Sequence, residues 1–166
     1  MEIYTELSSD NVKNTNKRLR ETELWGMLYE MLLGLEYLHD NNIIHRDLKP
    51  LNIFLSSEQK IKIGDMGVSR IVDWDENGNN EKLINDSRVG TPLYLAPELV
   101  KNQKYDFKID IWALGIIMYY LTCLIPPFVC DNLTELANLI TKSVPKPLPK
   151  YYNDKYKALI MSFLSK

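Results

Sequence analysis

The chain has 166 residues, of which 45% are hydrophobic and 25% are charged, and its formal net charge is −2. This length allows one ordinary hydrophobic core, so we expect a single domain. A charge balance this close to neutral indicates neither a nucleic-acid partner nor a membrane-surface partner. The apolar run from Ile109 to Phe128 is interrupted by Asp110, Gly115 and two prolines, so a membrane span is not expected either.

Cysteine usage predicts a reducing compartment. The two cysteines, Cys123 and Cys130, are too few for a disulfide framework, and their spacing is not the C-x-x-C of a metal site. The N-terminus also lacks the charged and then apolar layout of a signal peptide. We therefore expect an intracellular protein, in the cytoplasm or, alternatively, in the nucleus or on the cytoskeleton.

The N-terminal third of the chain predicts one long helix. Residues Met1 to Tyr4 suit the end of a strand, although a frayed terminus explains them equally well, and Ser8 to Arg20 suits a short helix and a linker. Apolar residues then recur at steps of three and four, which predicts a helix of about five turns that ends near His39. We interpret His39 as a favourable partner of the C-terminal helix dipole and not as a catalyst. The recurring residues are Leu24, Met27, Leu28, Met31, Leu32, Leu35 and Leu38.

A short hairpin is predicted next. The pair Ile43–Ile44 leads into a polar loop, and Ile53–Leu55 follows this loop as a strand. Residues 59–64 contain a second strand, in which polar and apolar side chains alternate. Such a hairpin brings Asn52 and Asp65 towards each other, so that one cation can contact both side chains.

The C-terminal half predicts three helices. From Ile109 to Leu124 the chain is apolar on nearly every side, which is typical of a helix in the centre of a domain. Two prolines stop this helix. Weaker helices are predicted from Thr134 to Lys142 and from Asp154 to Leu164, with a proline-rich connector between them.

Three short motifs carry the chemistry. Asp47 can accept a hydrogen bond from an attacking hydroxyl, and Lys49 can offset charge on a phosphoryl group during transfer. Asn52 and Asp65 supply the hard oxygen ligands that Mg²⁺ prefers. Each tripeptide alone is only a turn signal, but the ordered set predicts phosphoryl transfer. The motifs are His45-Arg46-Asp47-Leu48-Lys49-Pro50-Leu51-Asn52, Asp65-Met66-Gly67 and Ala96-Pro97-Glu98.

In this order the motifs match the signature H-R-D-L-x-x-x-N, D-F-G and A-P-E, except that Met66 replaces the Phe of D-F-G, so the chain resembles the large, C-terminal lobe of a eukaryotic Ser/Thr protein kinase. The resemblance is strongest to the NIMA-related group. It implies an α+β fold that is mainly α-helical, with a small β-hairpin region that bears the catalytic loop and with the small lobe absent. It covers residues 1–166, with a hinge at 1–7 and an activation segment at 65–98.

The same resemblance implies an ATP site with Mg²⁺ held by Asn52 and Asp65. At the hinge, the backbone carbonyl of Glu2 would accept from the adenine amino group, and the backbone N–H of Tyr4 would donate to the ring. Phe54 would lie under the adenine.

The resemblance also implies roles around the activation segment. Thr91 would bond the catalytic Asp47 and Lys49 and favour Ser/Thr substrates. Ser87 matches an activating phosphosite whose phosphate would pair with Arg46, with an ordinary loop serine as the alternative.

Structural support is implied for three more residues. His45 would pack beneath the Asp-x-Gly motif, and Asp110 would hold the backbone of the catalytic loop from below. Glu98 would pair with a late arginine, which this chain does not contain.

Two parts of the kinase signature are missing from the sequence, namely the G-x-G-x-x-G loop and the strand lysine of V-A-I-K. We therefore expect a fragment of an ATP- and Mg²⁺-dependent kinase that phosphorylates protein Ser/Thr hydroxyls, with little activity of its own. Its expected partners are ATP and protein substrates, without nucleic acid or membrane. A catalytically inactive, kinase-like interaction module is the alternative.

Overall fold

The computed structural model describes residues 18–58, 60–72 and 92–166. Five of the sequence-predicted positions, Met1, Glu2, Tyr4, Ser87 and Thr91, lie outside these ranges. The helices of the described part are α1 (Glu21–Asp40), α2 (Pro97–Val100), α3 (Lys108–Cys123), α4 (Leu133–Lys142) and α5 (Asp154–Phe163). The strands are β1 (Ile43–Ile44), β2 (Ile53–Leu55), β3 (Ile61–Ile63) and β4 (Arg70–Ile71). None of these helices combines the length and the hydropathy that a membrane span requires.

The central helix is α3, and it packs against both α1 and α5. Nearly all of its side chains are buried, including Leu114, Ile116 and Met118, as its continuous apolar sequence predicts. The helix ends at Cys123 and is capped by Leu124, which adopts a left-handed conformation with φ of 60°. The prolines that follow lack the backbone N–H that a helix needs, so the helix cannot continue past this point.

A buried hydroxyl chain joins α3 to α5. The Thr122 hydroxyl donates to the Met118 carbonyl at 2.6 Å and accepts from the Tyr156 hydroxyl at 2.7 Å. Because the single proton of Thr122 is already donated, Tyr156 must be the donor in the second bond. Burial raises the pKa of Tyr156 to about 12, so its hydroxyl stays protonated through the ordinary pH range.

The C-terminal end of α5 packs tightly against α3 at Gly115. A methyl group at this position would lie 2.8 Å from Cβ of Phe163 and 2.9 Å from Cδ2 of Leu164. The Cβ of Phe163 is tied to its backbone, so it cannot move aside without moving α5. Gly26 in α1 is the opposite case, since nothing lies within 4 Å of the place where its Cβ would be.

We expect Gly115→Ala to lower the free energy of unfolding by roughly 1–2 kcal/mol, because overpacking costs more than the gain in helix propensity. Gly26→Ala should raise it by roughly 0.5–1 kcal/mol, since only helix propensity changes there. Urea denaturation followed by circular dichroism measures both shifts. Shifts of the same sign would contradict this packing of α3 on α5.

Two small antiparallel sheets complete the described part. The predicted hairpin is present as β2 and β3, with Ile53 opposite Ile63. The second sheet pairs β1 with β4, so that Ile43 lies opposite Ile71, and the sequence pattern did not predict it. Together the two sheets bring the loop after β1 next to the turn between β3 and β4.

Candidate active site

The polar loop between β1 and β2 is anchored from below by a buried carboxylate on α3. Asp110 accepts hydrogen bonds from the backbone N–H groups of His45 at 2.9 Å and Arg46 at 3.0 Å. These contacts are the ones that the resemblance implies for Asp110. They hold Arg46 in a left-handed conformation, with φ of 67°, immediately before Asp47. The position of Asp47 therefore depends on the central helix.

The third group that donates a hydrogen bond to the Asp110 carboxylate is the His39 ring. From the sequence we interpreted His39 as a favourable partner of the C-terminal helix dipole. Its Nε2 lies 2.9 Å from Oδ2 of Asp110, and its ring packs on Phe107 with the ring centroids 4.8 Å apart. Since an ionised carboxylate only accepts, His39 Nε2 must carry the proton. The dipole interpretation was therefore incomplete, because His39 joins the end of α1 to the support of the loop.

We expect His39→Leu to lower the free energy of unfolding by roughly 1.5–3 kcal/mol, since it removes a hydrogen bond to a buried charge. His39→Gln keeps a side-chain N–H that can donate to Asp110, so its free energy of unfolding should fall by less than that of His39→Leu. Chemical denaturation of both variants measures the difference. Equal stability of His39→Leu and the unaltered chain would show that this bond adds nothing.

His45 ties the loop to the hairpin. Its ring is fully buried, with Nδ1 accepting from the Asp47 backbone N–H at 3.3 Å and Nε2 close to the Gly64 carbonyl at 3.0 Å. This pair of contacts requires the tautomer with the proton on Nε2. Both ring nitrogens are thus engaged in structure, directly beneath the start of the Asp65-Met66-Gly67 motif.

Asp47 lies at the centre of a polar cluster. Lys49 Nζ donates to its Oδ2 at 2.5 Å, and Asn52 Nδ2 lies 3.3 Å from the same oxygen. Asn52 Nδ2 also donates to the Asp47 backbone carbonyl at 2.8 Å, which closes the loop on itself. The Asp47 side chain keeps 13% of its surface exposed, so its carboxylate remains reachable from solvent.

Asn52 and Asp65 lie at neighbouring places on the hairpin. The Gly64 backbone N–H donates to the Asn52 carbonyl at 2.9 Å, and Asp65 is the next residue. Among the described residues, no donor contacts the Asn52 side-chain oxygen. Asp65 is exposed, has a φ of 57°, and accepts only a long bond of 3.4 Å from the Gly67 N–H.

This pair of oxygen donors fits a hard divalent cation such as Mg²⁺, which takes one or two side-chain oxygens and keeps several waters. The Asn52 amide hydrogens point at Asp47, which leaves the amide oxygen free to act as a ligand. The described residues contain no group of three or more His, Cys, Asp or Glu side chains that could hold a metal. The donor set that we consider for Mg²⁺ is the Asn52 amide oxygen with the Asp65 carboxylate, because both are hard oxygen donors.

Two apolar residues border this cluster. Phe54 is half-buried, and its Cε2 would lie 2.8 Å from a Cβ on Gly64, so glycine is needed for this close approach. Met66 stands where the family signature has Phe, and 40% of its surface is exposed. A half-exposed thioether restrains the Asp65 turn less than a buried ring would.

Two further residues of the prediction lie at the edges of the site. Arg46 donates from Nε to the Val68 carbonyl at 2.7 Å, which ties the loop to the turn after Asp65. Glu98 is half-buried in α2, and none of the described residues forms an ion pair with its carboxylate. The described structure thus joins His45, Arg46, Asp47, Lys49, Asn52 and Asp110 by hydrogen bonds, and it attaches Asp65 to this group through the backbone of Gly64, the residue before it.

Comparison with known proteins identifies the family. The sequence model of the protein kinase domain matches residues 1–166, which is the whole chain. The chain belongs to the protein kinase domain family. It is 40% identical over 159 residues to the serine/threonine-protein kinase Nek3 of Oryza sativa subsp. japonica, covering 95% of this chain and 26% of that protein. It is 34% identical over 148 residues to Nek4 of Mus musculus, covering 89% of this chain and 18% of that protein.

The similarity extends to a second group of kinases. The serine/threonine-protein kinase PLK1 of Xenopus tropicalis is 37% identical over 164 residues, covering 99% of this chain and 26% of that protein. The Nek relatives confirm the resemblance to NIMA-related kinases that the motifs predicted. The chain spans about a quarter or less of the length of each of these three relatives.

Proposed function

We propose that this chain provides the catalytic loop of a Ser/Thr protein kinase that transfers the γ-phosphate of ATP to protein Ser or Thr hydroxyls. The observation that supports this most is the Asp47 carboxylate, which is held between Lys49 and Asn52 and still reaches solvent. Phosphoryl transfer needs positioning and electrostatic stabilisation more than covalent chemistry. A fixed carboxylate with an adjacent ammonium group supplies both.

Asp47 would accept the hydrogen bond of the substrate hydroxyl and take its proton as the hydroxyl oxygen bonds to the γ-phosphorus. In the same step the bond between this phosphorus and the β–γ bridging oxygen would break, and ADP would leave. During transfer, negative charge spreads over the phosphoryl oxygens. The Lys49 ammonium group would then donate to these oxygens as well as to the Asp47 carboxylate, which stabilises that charge. Bound Mg²⁺ would neutralise charge on the ATP phosphates. Asn52 and Asp65 would hold this ion with the amide oxygen and the carboxylate described above.

We further propose that the described residues form the large lobe of the kinase domain, with a hinge at 1–7 and an activation segment at 65–98. Support comes from the helical content and from sheets of only two strands in the described part. Within this assignment Glu2, Tyr4 and Phe54 would contact adenine, Thr91 would select Ser/Thr substrates, and Ser87 would accept an activating phosphate. Cytoplasmic location, with the nucleus or cytoskeleton as alternatives, belongs to the same proposal.

The test is phosphate transfer from radiolabelled ATP to a basic protein substrate. The assay compares the 166-residue chain alone with the full-length protein, each with Mg²⁺ and with EDTA. We expect strong, Mg²⁺-dependent transfer by the full-length protein and little by the chain alone. No transfer by the full-length protein would contradict the proposal and favour a catalytically inactive interaction module.

A further inference from the structure

One face of α1 exposes a row of large apolar side chains to solvent. The row consists of Trp25, Tyr29, Leu33 and Tyr37, whose exposed fractions are 38, 64, 45 and 70%. Residues four apart on a helix lie one above the other, so these side chains form a continuous ridge about 18 Å long. A ridge of this kind can pack into the groove between two rows of side chains on a second helix.

The core of the domain accounts for one member of this ridge only, Trp25, whose ring meets Tyr156 edge-on with the ring centroids 5.4 Å apart. The buried side of α1 is formed by Leu24, Leu28, Met31 and Leu35, each at most 1% exposed. These residues already supply the apolar stripe that attaches the helix to the domain. Single exposed apolar residues are normal on a protein surface, but a contiguous row is typical of an interaction site.

The same face is negatively charged. Helix α1 contains five acidic residues and neither Lys nor Arg. Glu36 and Asp40 are exposed beside Leu33 and Tyr37, and within the described ranges no hydrogen bond or ion pair engages either side chain. By contrast, Glu21 already accepts from the Trp25 indole N–H at 3.2 Å.

We propose that this surface, called the α1 ridge (Trp25, Tyr29, Leu33, Tyr37, Glu36 and Asp40), docks a basic amphipathic helix of another protein. Apolar residues of such a helix would pack on the ridge, and its Lys or Arg residues would pair with Glu36 and Asp40. Lys and Arg also bind the faces of exposed tyrosine and tryptophan rings. Gly26, which carries no side chain, leaves room beside Trp25 for a close approach.

A second copy of this chain is a poorer occupant of the α1 ridge. A two-fold contact sets each residue of the patch against another residue of the same patch, and α1 carries acidic side chains but neither Lys nor Arg, so Glu36 and Asp40 would meet no opposite charge on the partner helix. Like charges in contact cost several kcal/mol in an interface. The charge of the face thus selects a partner of opposite sign.

The test uses a designed peptide of about 18 residues, with leucines at helical spacing on one face and Lys and Arg on both flanks. One control peptide replaces Lys and Arg by Glu, and another keeps the composition but scatters the leucines around the helix. Isothermal titration calorimetry measures binding to the 166-residue chain. We expect the basic amphipathic peptide to bind at least about tenfold more tightly than either control.

Variants of the chain locate the binding site. Leu33→Ser combined with Tyr37→Ser should weaken binding about tenfold or more, because the ridge loses half of its apolar side chains. Glu36→Lys combined with Asp40→Lys should reverse the charge preference, so that the Glu peptide binds better than the basic one. Circular dichroism verifies that each variant remains folded, which is expected because all four positions are exposed.

The matched control is Val129→Ser combined with Leu133→Ser. These residues are 64 and 69% exposed, but Val129 lies in the loop before α4 and Leu133 is the first residue of α4, so neither is on α1. Binding should be unchanged in this variant. Equal binding of the scattered peptide, equal effects of the two Ser pairs, failure of the basic peptide to bind, or self-association through the ridge in light scattering would each overturn the proposal.

Discussion

Asp47→Asn in the full-length protein is expected to lower the rate of phosphate transfer by about 100-fold or more, since removal of a positioned general base costs this much. Asparagine has the same shape, but it cannot take up the hydroxyl proton. Its amide group would also direct hydrogens at Lys49 and Asn52, which now donate to the carboxylate. Steady-state kinetics with a basic protein substrate measures the loss.

Nucleotide binding should survive this substitution, because Asp47 is not one of the two proposed metal ligands. Asp154→Asn is the matched control, since Asp154 is exposed at the start of α5 and pairs with Lys157 at 2.7 Å. It should leave the rate unchanged. A rate for Asp47→Asn close to that of the control would reject the proposed base.

Asp110→Asn is expected to lower the free energy of unfolding by roughly 3–5 kcal/mol, because breaking a buried charged network leaves polar groups unpaired. The carboxylate is 1% exposed and accepts from two backbone N–H groups and from His39. An amide has one acceptor oxygen, and its NH₂ group would face a donor. A loss of this size is a large fraction of the stability of an ordinary domain.

The substitution should also lower the rate of phosphate transfer, because the backbone N–H groups of His45 and Arg46, which lose their acceptor, lie immediately before Asp47. Thermal and urea denaturation measure stability, and transfer by the full-length variant at low temperature measures the rate. Asp106→Asn serves as the control, since Asp106 is only partly buried, with 45% of its side-chain surface exposed, and accepts from the Lys108 N–H at 2.8 Å, a bond that asparagine retains. Equal stability of both variants would show that Asp110 does not support the loop.

Much of the fold was predictable from local patterns. The helix predicted from the three-and-four spacing is α1, and the apolar run from Ile109 to Leu124 is α3 within one residue at each end. The two later helices and the β2–β3 hairpin were also placed correctly. In each case the signal lies in neighbouring residues, through periodicity, caps or alternation.

Other features were missed because their causes are distant in sequence. The His39–Asp110 bond joins residues 71 positions apart, and the β1–β4 pairing joins two strands of only two residues each. The four-residue helix α2 was also not predicted. Elements this short have little periodicity to detect, and they form only because the surrounding domain orders them.

By itself the sequence determined the kinase family, the order of the motifs and the side chains that we propose as chemically active, because spacing and residue type are local properties. Only the tertiary structure decided how the site is held. It placed Asp110 and His39 beneath the loop and closed Lys49 and Asn52 around Asp47. It also left the α1 ridge uncovered, since which of two apolar faces is buried depends on the neighbours that pack against the helix.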